Sequence, residues 1–132
     1  MLIRIVCPES CAYEGEAAFI VVPATDGECG ILPRHASEIC TISSGYVRVS
    51  DTDTSTVDHT FAVDGGYAQI ADDTVIVLAE RACNLADVDA DKVKAQIQGF
   101  EDKLSNLSED DARRAYLYNE IAWCKLLLAN KS

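Results

Sequence analysis

The residues of this chain best suited to chemistry are cysteines and histidines. The 132-residue chain contains two histidines, His35 and His59, and six cysteines, namely Cys7, Cys11, Cys29, Cys40, Cys83 and Cys124. A thiol beside an imidazole can act as a nucleophile, and Cys29 precedes His35 by six residues. No CxxC pair occurs, and no second pair mirrors the Cys7–Cys11 spacing, so the pattern does not favour zinc. We expect free thiols in a reducing compartment, with no metal and no disulfide.

Other catalytic patterns are absent from the sequence. It contains no phosphate-binding loop, no dinucleotide fingerprint and no HExxH motif. Glu14 and Glu16 place two carboxylates close together, but we expect them in a solvated turn between two strands. We therefore expect a protein that is not an enzyme and needs no cofactor. The alternatives are a small thiol- or metal-dependent enzyme or sensor that uses Cys7, Cys11, Cys29 and His35, and a free-standing adaptor.

Charge and hydropathy exclude several other classes of function. The net charge is −11, and residues 1–87 carry 14 acidic and 4 basic side chains. Such an acidic surface disfavours nucleic acid and anionic lipid, both of which attract clustered Lys and Arg. No stretch reaches the roughly 18 apolar residues that span a bilayer. The N-terminus has no signal-peptide pattern and indicates the first strand of a cytosolic protein.

The elements that must position these side chains change character near residue 87. Before it, short segments rich in Val, Ile, Tyr and Phe alternate with turn signals, which predicts a β-sandwich or barrel. The predicted strands are Leu2–Cys7, Ala17–Val22, Glu38–Ile42, Tyr46–Ser50, Val57–Val63, Tyr67–Ile70 and Val75–Leu78. Asp64-Gly65-Gly66 predicts a tight hairpin, because glycine accepts a positive φ angle. Residues 1–87 are predicted to form one domain.

Residues 88–132 are predicted to form a second domain, an antiparallel helical hairpin. Val93, Ile97, Phe100 and Leu104 recur at helical spacing and define one face of a first helix. Ser108, with an acid three residues later, predicts the N-cap of a second helix. That helix carries two apolar stripes, Leu117-Ile121-Cys124-Leu128 and Tyr116-Trp123-Leu127. One stripe would cover the first helix, and the other would rest on the β-domain or on another subunit.

The order of motifs resembles the epsilon subunit of bacterial F-type ATP synthases. The segment CPESCAYEGEAAFIVVPATDGECGILPRHA contains a Pro-Glu turn, a Tyr-x-Gly-Glu step, a run ending Val-Val-Pro and a Gly-Glu-x-Gly-Ile-Leu-Pro-x-His-Ala segment. Cys29 stands where the family usually has Leu. GYVRV, FAVDGG and VIVLAERA follow in the family's order. The resemblance covers residues 1–89 in motif and the remainder in architecture.

The resemblance implies a fold that is mainly β plus α, with an N-terminal ten-stranded β-sandwich followed by a C-terminal antiparallel two-helix hairpin. It implies a non-catalytic rotor subunit of the central stalk, peripheral to the cytoplasmic face of the bacterial inner membrane. Its expected partners are the gamma subunit and the c-ring. The Gly27–Ala36 segment is expected to be a loop that serves as a contact surface, in which Glu28 faces the c-ring and Ile31 and His35 serve partner binding. A histidine that donates to a local carbonyl is the other interpretation of His35.

The same resemblance implies regulation by the hairpin. An extended hairpin would inhibit ATP hydrolysis, with Arg113 and Arg114 pairing with acidic segments of the alpha and beta catalytic subunits and Trp123 among the contacts. Some relatives bind ATP through Ile/Leu-Asp-x-x-Arg-Ala at the start of the first helix. Here that place reads Val88-Asp89-Ala90-Asp91-Lys92-Val93, which keeps only Asp89 of the polar pair. Because Lys lacks the planar fork of Arg, we expect weak or absent ATP binding.

Overall fold

The structure is a computed structural model that describes residues 1–129. Within these residues there are ten β-strands, one short 3-10 helix and two α-helices. The strands are β1 (Leu2–Cys7), β2 (Ser10–Glu16), β3 (Phe19–Ala24), β4 (Gly27–Ile31), β5 (Glu38–Ile42), β6 (Gly45–Ser50), β7 (His59–Val63), β8 (Gly66–Ala71), β9 (Thr74–Ala79) and β10 (Ala82–Asn84). The 3-10 helix is Leu85–Asp87, and the α-helices are α1 (Ala90–Ser105) and α2 (Arg113–Ala129). The predicted fold class is confirmed.

The strands form one strongly curled sheet. Its order is β10-β7-β6-β3-β5-β8-β9-β1-β2, and β4 pairs with β3 beside this path. The pairing of β1 with β9 is parallel, and the neighbouring pairings of β1 with β2 and of β8 with β9 are antiparallel. β10 also contacts β1 and β2, so the two ends of the sheet meet. Closure of this kind leaves few exposed strand edges.

The core of the sandwich follows the period of two that its strands show in sequence. Ile3 and Ile5 of β1 are fully buried, and so are Val75 and Val77 of β9 beside them. Phe61 is the largest of the fully buried side chains. Full burial of an aliphatic or aromatic side chain of this size contributes about 1.5–3 kcal/mol. The alternation therefore both selects strand structure and supplies the free energy that holds it.

Three of the strands were not among those predicted from local pattern. β2 contains Glu14 and Glu16, so the prediction of a solvated turn there is wrong. β4 begins in the glycine-containing segment that was interpreted as a loop, and β10 has only three residues. β2 and β4 lack the apolar alternation that marks a strand. They are strands because β1 and β3 offer them partners.

Asp64-Gly65-Gly66 is a corner between strands that do not pair, so the hairpin prediction is wrong. β7 pairs with β6 and β10, whereas β8 pairs with β5 and β9. Gly66 has φ +129°, and a Cβ atom there would lie 1.9 Å from the carbonyl oxygen of Leu78. Asp64 fixes the corner, because its carboxylate accepts hydrogen bonds from Ser44 Oγ at 2.6 Å and from Arg81 Nη2 at 2.8 Å.

The chain divides into two compact units, Met1–Ala86 and the described residues from Asp87 onward. In the second unit α1 and α2 contact each other. The predicted face of α1 is confirmed, because Val93 is buried and Ile97, Phe100 and Leu104 are half-buried. None of the helices within residues 1–129 is both long and apolar enough to cross a membrane.

The second helix differs from its prediction at its start and in one stripe. It begins at Arg113 rather than directly after Ser108. Residues 108–111 form a turn in which Asp111 N donates to Ser108 O, and Asp111 Oδ1 accepts from Arg113 N at 2.9 Å. The buried residues of α2 are Leu117, Ile121, Cys124 and Leu127, so Leu127 belongs to the buried stripe and Leu128 is half-buried.

Candidate functional site

Glu28 lies on β4 with an exposed carboxylate. It stands opposite Pro23 of β3, and Arg48 of β6 stands opposite Val21 of the same strand. The Arg48 guanidinium therefore reaches across β3 and forms an ion pair with Glu28. The Arg48 guanidinium also lies 5.9 Å from the centre of the Tyr46 ring. The Glu28 side chain remains 60% exposed, so it can meet a partner while it is paired.

His35 lies in the loop between β4 and β5, residues 32–37. Its backbone N–H donates to Leu32 O at 3.2 Å, and its ring Nδ1 lies 2.8 Å from Ala36 O. Because a carbonyl oxygen only accepts, Nδ1 carries a proton. Nε2 lies 3.9 Å from a Glu38 carboxylate oxygen, and the side chain is 27% exposed. The ring thus makes the local carbonyl contact and keeps one edge at the surface.

The loop is also tied to the turn between β8 and β9. Arg34 adopts a positive φ of 67°, and its backbone N–H donates to Asp73 Oδ1 at 2.9 Å. Asp72 and Asp73 have φ values of 52° and 58°, as a two-residue hairpin turn requires. The sequence marks this turn by its two aspartates, but no local signal indicates that Asp73 holds a loop 39 residues away.

Glu28 and His35 lie towards opposite ends of β4. The three residue steps along the strand from Glu28 to Ile31 span about 10 Å. Ile31 is 0% exposed and packs in the core of the sandwich, where it cannot touch a partner. The sequence treats Gly27–Ala36 as one loop, and the structure separates it into a strand and a loop.

Arg113 and Arg114 have different surroundings, although they are adjacent in sequence. Arg113 is 73% exposed and binds Asp111 through Nε at 3.0 Å and Nη2 at 2.7 Å. These hydrogen bonds lower the pKa of Asp111 to about 2. Arg114 is half-buried, and its Nη1 donates to Leu104 O at 3.2 Å and Leu107 O at 3.4 Å. The guanidinium of Arg114 therefore joins the start of α2 to the end of α1.

A groove of about 350 Å³ opens beside the turn of the hairpin. It is lined by Lys103, Asn106, Leu107, Arg113, Tyr116 and Leu117. Tyr116 is 61% exposed and Tyr118 is 53% exposed, whereas Trp123 is half-buried. The exposed surface of α2 thus combines the exposed guanidinium of Arg113 with two tyrosines.

Asp89 is the N-cap of α1. Its carboxylate oxygen accepts from the backbone N–H groups of Asp91 at 3.1 Å and Lys92 at 3.3 Å. A cap of this type satisfies donors that a helix start otherwise leaves open. Val93, in the place of the motif's alanine, is only 6% exposed. The Asp89 carboxylate is therefore already engaged by its own helix.

The cysteines are free thiols. Cys40 is buried, and burial, with hydrogen bonds and charge from Glu38 and Cys29, raises its pKa to about 12. Among residues 1–129, no group of three His, Cys, Asp or Glu side chains is arranged to hold a metal ion. The metal-dependent alternative based on Cys7, Cys11, Cys29 and His35 therefore finds no assembled metal site in the described part of the chain.

Comparison with known proteins gives a consistent family. The family model "ATP synthase, Delta/Epsilon chain, beta-sandwich domain" matches residues 1–85. The ATP synthase epsilon chain of Hyphomonas neptunium is 34% identical over 119 residues, which is 90% of this chain and 87% of that relative. The epsilon chain of Rhodospirillum rubrum is 32% identical over 126 residues, covering 96% and 92%.

A solved structure shows the same fold. It is a chain of the Euglena gracilis mitochondrial ATP synthase, determined in an assembly of OSCP, F1 and c-ring. That chain superposes with a TM-score of 0.75 at 20% identity, covering 98% of this chain and 79% of the other. The similarity therefore includes the arrangement of strands followed by helices over nearly the whole length.

Proposed function

The chain belongs to the ATP synthase delta/epsilon family, and from this premise we propose that it couples rotation to proton flow and regulates ATP hydrolysis. It is a non-catalytic subunit of the central stalk. The observation that carries this function is the family match over residues 1–85, with relatives named epsilon chain that span most of the sequence. For the alternative of a thiol- or metal-dependent enzyme or sensor, residues 1–129 contain no group of three side chains arranged to hold a metal ion.

Two domains divide this function in our proposal. Residues 1–87 bind the gamma subunit and the c-ring, and residues 88–132 regulate hydrolysis. The protein is peripheral to the membrane, and we place it on the cytoplasmic face of a bacterial inner membrane. The comparison structure from Euglena gracilis contains F1 and a c-ring, which supports the c-ring as a partner. Copurification of a tagged chain with a gamma subunit tests the assignment, and a chain recovered without gamma would contradict it.

Glu28 is the proposed contact with the c-ring, because its carboxylate is exposed and suits a basic loop. The pair with Arg48 allows a sharp test. Glu28 could act by contacting the c-ring or only by holding Arg48. Glu28→Lys removes the acidic contact and also repels Arg48, so both interpretations predict a defect in ATP synthesis. The double substitution Glu28→Arg with Arg48→Glu restores the internal pair with reversed positions. If Glu28 contacts the c-ring, proton-driven ATP synthesis by the assembled enzyme stays impaired in the double variant, and most so at low ionic strength.

Recovery of synthesis in the charge-swapped enzyme would show that Glu28 acts only through Arg48.

His35 and Ile31 have different proposed roles near the gamma subunit. The exposed edge of His35 makes the contact, and the buried Ile31 supports the loop from within the core. His35→Gln keeps a hydrogen-bonding side chain, and we expect it to weaken gamma binding without changing thermal stability. If His35→Gln lowers the free energy of unfolding by as much as it lowers the free energy of gamma binding, His35 has a structural role instead.

Arg113 is the proposed contact of the hairpin with acidic segments of the alpha and beta subunits. Its guanidinium is 73% exposed and projects from the start of α2. Trp123 adds apolar area on the same helix. Deletion of residues 88–132 should raise ATP hydrolysis and leave assembly intact. Arg113→Glu should raise hydrolysis in the full-length chain, whereas Arg113→Lys should retain most of the inhibition. Unchanged hydrolysis after the deletion would reduce the hairpin to a structural part.

ATP binding at Asp89 is proposed to be weak or absent. The carboxylate caps α1, Lys92 replaces the motif's arginine, and the buried Val93 replaces its alanine. Isothermal titration of the full chain with MgATP should show no saturation at micromolar concentrations. Tight binding that is lost in Asp89→Asn would contradict this proposal.

A further inference from the structure

Two cysteines lie on the strands that flank the β4–β5 loop, and both pack in or against the core of the sandwich. Cys29 lies on β4, opposite Val22, and Cys40 lies on β5, opposite Ala68. Cys40 is one of the buried core residues, and Cys29 packs against that core as a partly buried neighbour. The Cys29 thiol is close enough to Cys40 to be among the groups that raise the pKa of the Cys40 thiol. Both side chains therefore point into the same corner of the sandwich from strands joined by residues 32–37.

A carboxylate completes the arrangement. The Cys40 thiol donates to Glu38 Oε1 at 3.3 Å. Residue Cys29 is half-buried and Cys40 is buried, so a small oxidant in water reaches Cys29 more readily than Cys40. Sulfur chemistry at this position then begins at Cys29, because the Cys40 thiol is protonated and buried.

We propose that Cys29 and Cys40 form a disulfide when the protein meets a peroxide, closing the loop that carries His35. Peroxide oxidises the Cys29 thiol to a sulfenic acid and releases one water. The Cys40 sulfur attacks the Cys29 sulfur, an S–S bond forms and the Cys29 S–O bond breaks. The Glu38 carboxylate takes the Cys40 proton and passes it to the leaving hydroxide, which departs as a second water. The two electrons lost by the thiols reduce one peroxide.

The other cysteines do not share this geometry. Cys11 lies opposite Val6 across β1 and β2, so it faces the same side as Val6, and Cys7 is the next residue along β1. Since successive strand residues point to opposite faces, Cys7 and Cys11 face apart. Cys83 lies on β10 and Cys124 lies on α2. Cys7 and Cys11 therefore provide a matched control pair, close in the chain but oriented apart.

The disulfide would fix the ends of the segment between residues 29 and 40. Inside it lie Leu32, which is 50% exposed, and the exposed edge of His35. A covalent bond across this base restricts the unfolded chain and the motion of the loop. The chemical step uses the two thiols, Glu38 and a peroxide, and it does not depend on the proposed role in ATP synthase.

The test uses the full chain, treated with hydrogen peroxide, alkylated without reduction and digested with trypsin. Trypsin cuts after Arg4, Arg34 and Arg48, which separates Cys29 from Cys40 into peptides 5–34 and 35–48. We expect these peptides as one linked species that separates on reduction. Because peptide 5–34 also contains Cys7 and Cys11, the digest is repeated with Cys7→Ser and Cys11→Ser combined, and the linked species should persist.

The linked species should disappear in Cys29→Ser and in Cys40→Ala, the second chosen because alanine suits a buried position. Glu38→Gln should slow its formation severalfold while sulfenic acid at Cys29, trapped with dimedone, forms at the usual rate. The oxidised wild-type chain should melt several degrees above the reduced chain, and reductant should reverse the shift. Peroxide that converts Cys29 to sulfinic acid without linking the peptides would overturn the proposal, and so would a linked species that survives Cys29→Ser.

Discussion

We expect Arg114→Ala to lower the stability of the helical hairpin. Its guanidinium donates to Leu104 O, Leu107 O and, through Nη2, to Tyr118 Oη at 2.9 Å. It also lies 5.6 Å from the centre of the Tyr118 ring. Hydrogen bonds from a charged donor contribute roughly 1.5–3 kcal/mol each when buried. Because Arg114 is half-buried and two of the distances are long, we expect Arg114→Ala to cost about 2 kcal/mol in all.

The assay is urea unfolding of the full chain followed by tryptophan fluorescence. The sequence contains one tryptophan, and Trp123 lies on α2, so the signal reports on the hairpin. Arg113→Ala is the matched control. The Arg113 guanidinium is 73% exposed, and the hydrogen bonds described for it go to Asp111 in the adjoining turn. Arg114→Lys should recover part of the loss, because one ammonium cannot reach both carbonyls and Tyr118. Equal destabilisation by Arg113→Ala and Arg114→Ala would refute the reasoning.

Three further outcomes can be measured on the purified chain. Gly66→Ala should lower the free energy of unfolding, measured in urea, by more than about 3 kcal/mol, because the new Cβ meets the Leu78 carbonyl. Gly99→Ala should raise the free energy of unfolding by about 0.5–1 kcal/mol, because nothing lies within 4 Å of the new Cβ. Burial raises the pKa of Asp64, but the hydrogen bonds from Ser44 and Arg81 and the charge of Arg81 outweigh it and lower the pKa below its ordinary value of 3.8. The contribution of Asp64 to stability is therefore complete above about pH 4 and lost as the pH falls further, so unfolding curves of Asp64→Asn should show a shallower acid dependence. Protein prepared under reducing conditions should give six alkylatable thiols after denaturation and no bound metal by elemental analysis, and a smaller thiol count would contradict this.

The sequence predicts elements whose own residues decide their structure. β1, β6 and β9 alternate large apolar residues with exposed or half-exposed ones, so a period of two identifies them without any partner. The face of α1 is identified in the same way by its spacing of three and four. The local pattern does not predict β4, because two of its five residues are glycines. Its pairing with β3 stabilises the strand instead.

The candidate site was less predictable, because its geometry depends on contacts between distant residues. Glu28 and His35 were recognised as candidates from motif alone. Their separation follows from β4 being a strand, and the capture of Arg34 by Asp73 joins residues 39 apart. Arg113 and Arg114 look alike in sequence, and only the position of the end of α1 distinguishes them. Motif order thus supplies the candidate residues of the site, and tertiary contacts decide what each of them can reach.

The difference between the two arginines has a consequence for regulation. We call the hairpin closed when α1 and α2 contact each other and open when they are separated. If the open hairpin is the inhibitory state, the Arg114 contacts with Leu104 and Leu107 belong to the closed state alone. Loss of about 2 kcal/mol from the closed state changes the ratio of closed to open hairpins about 30-fold. Arg114→Ala should then lower ATP hydrolysis by the assembled enzyme, whereas Arg113→Ala should raise it, because Arg113 is the proposed contact of the open state. The opposite sign for neighbouring arginines is specific to this mechanism. If both substitutions raise hydrolysis, Arg114 acts at the partner surface and the closed hairpin is not the state with which inhibition competes.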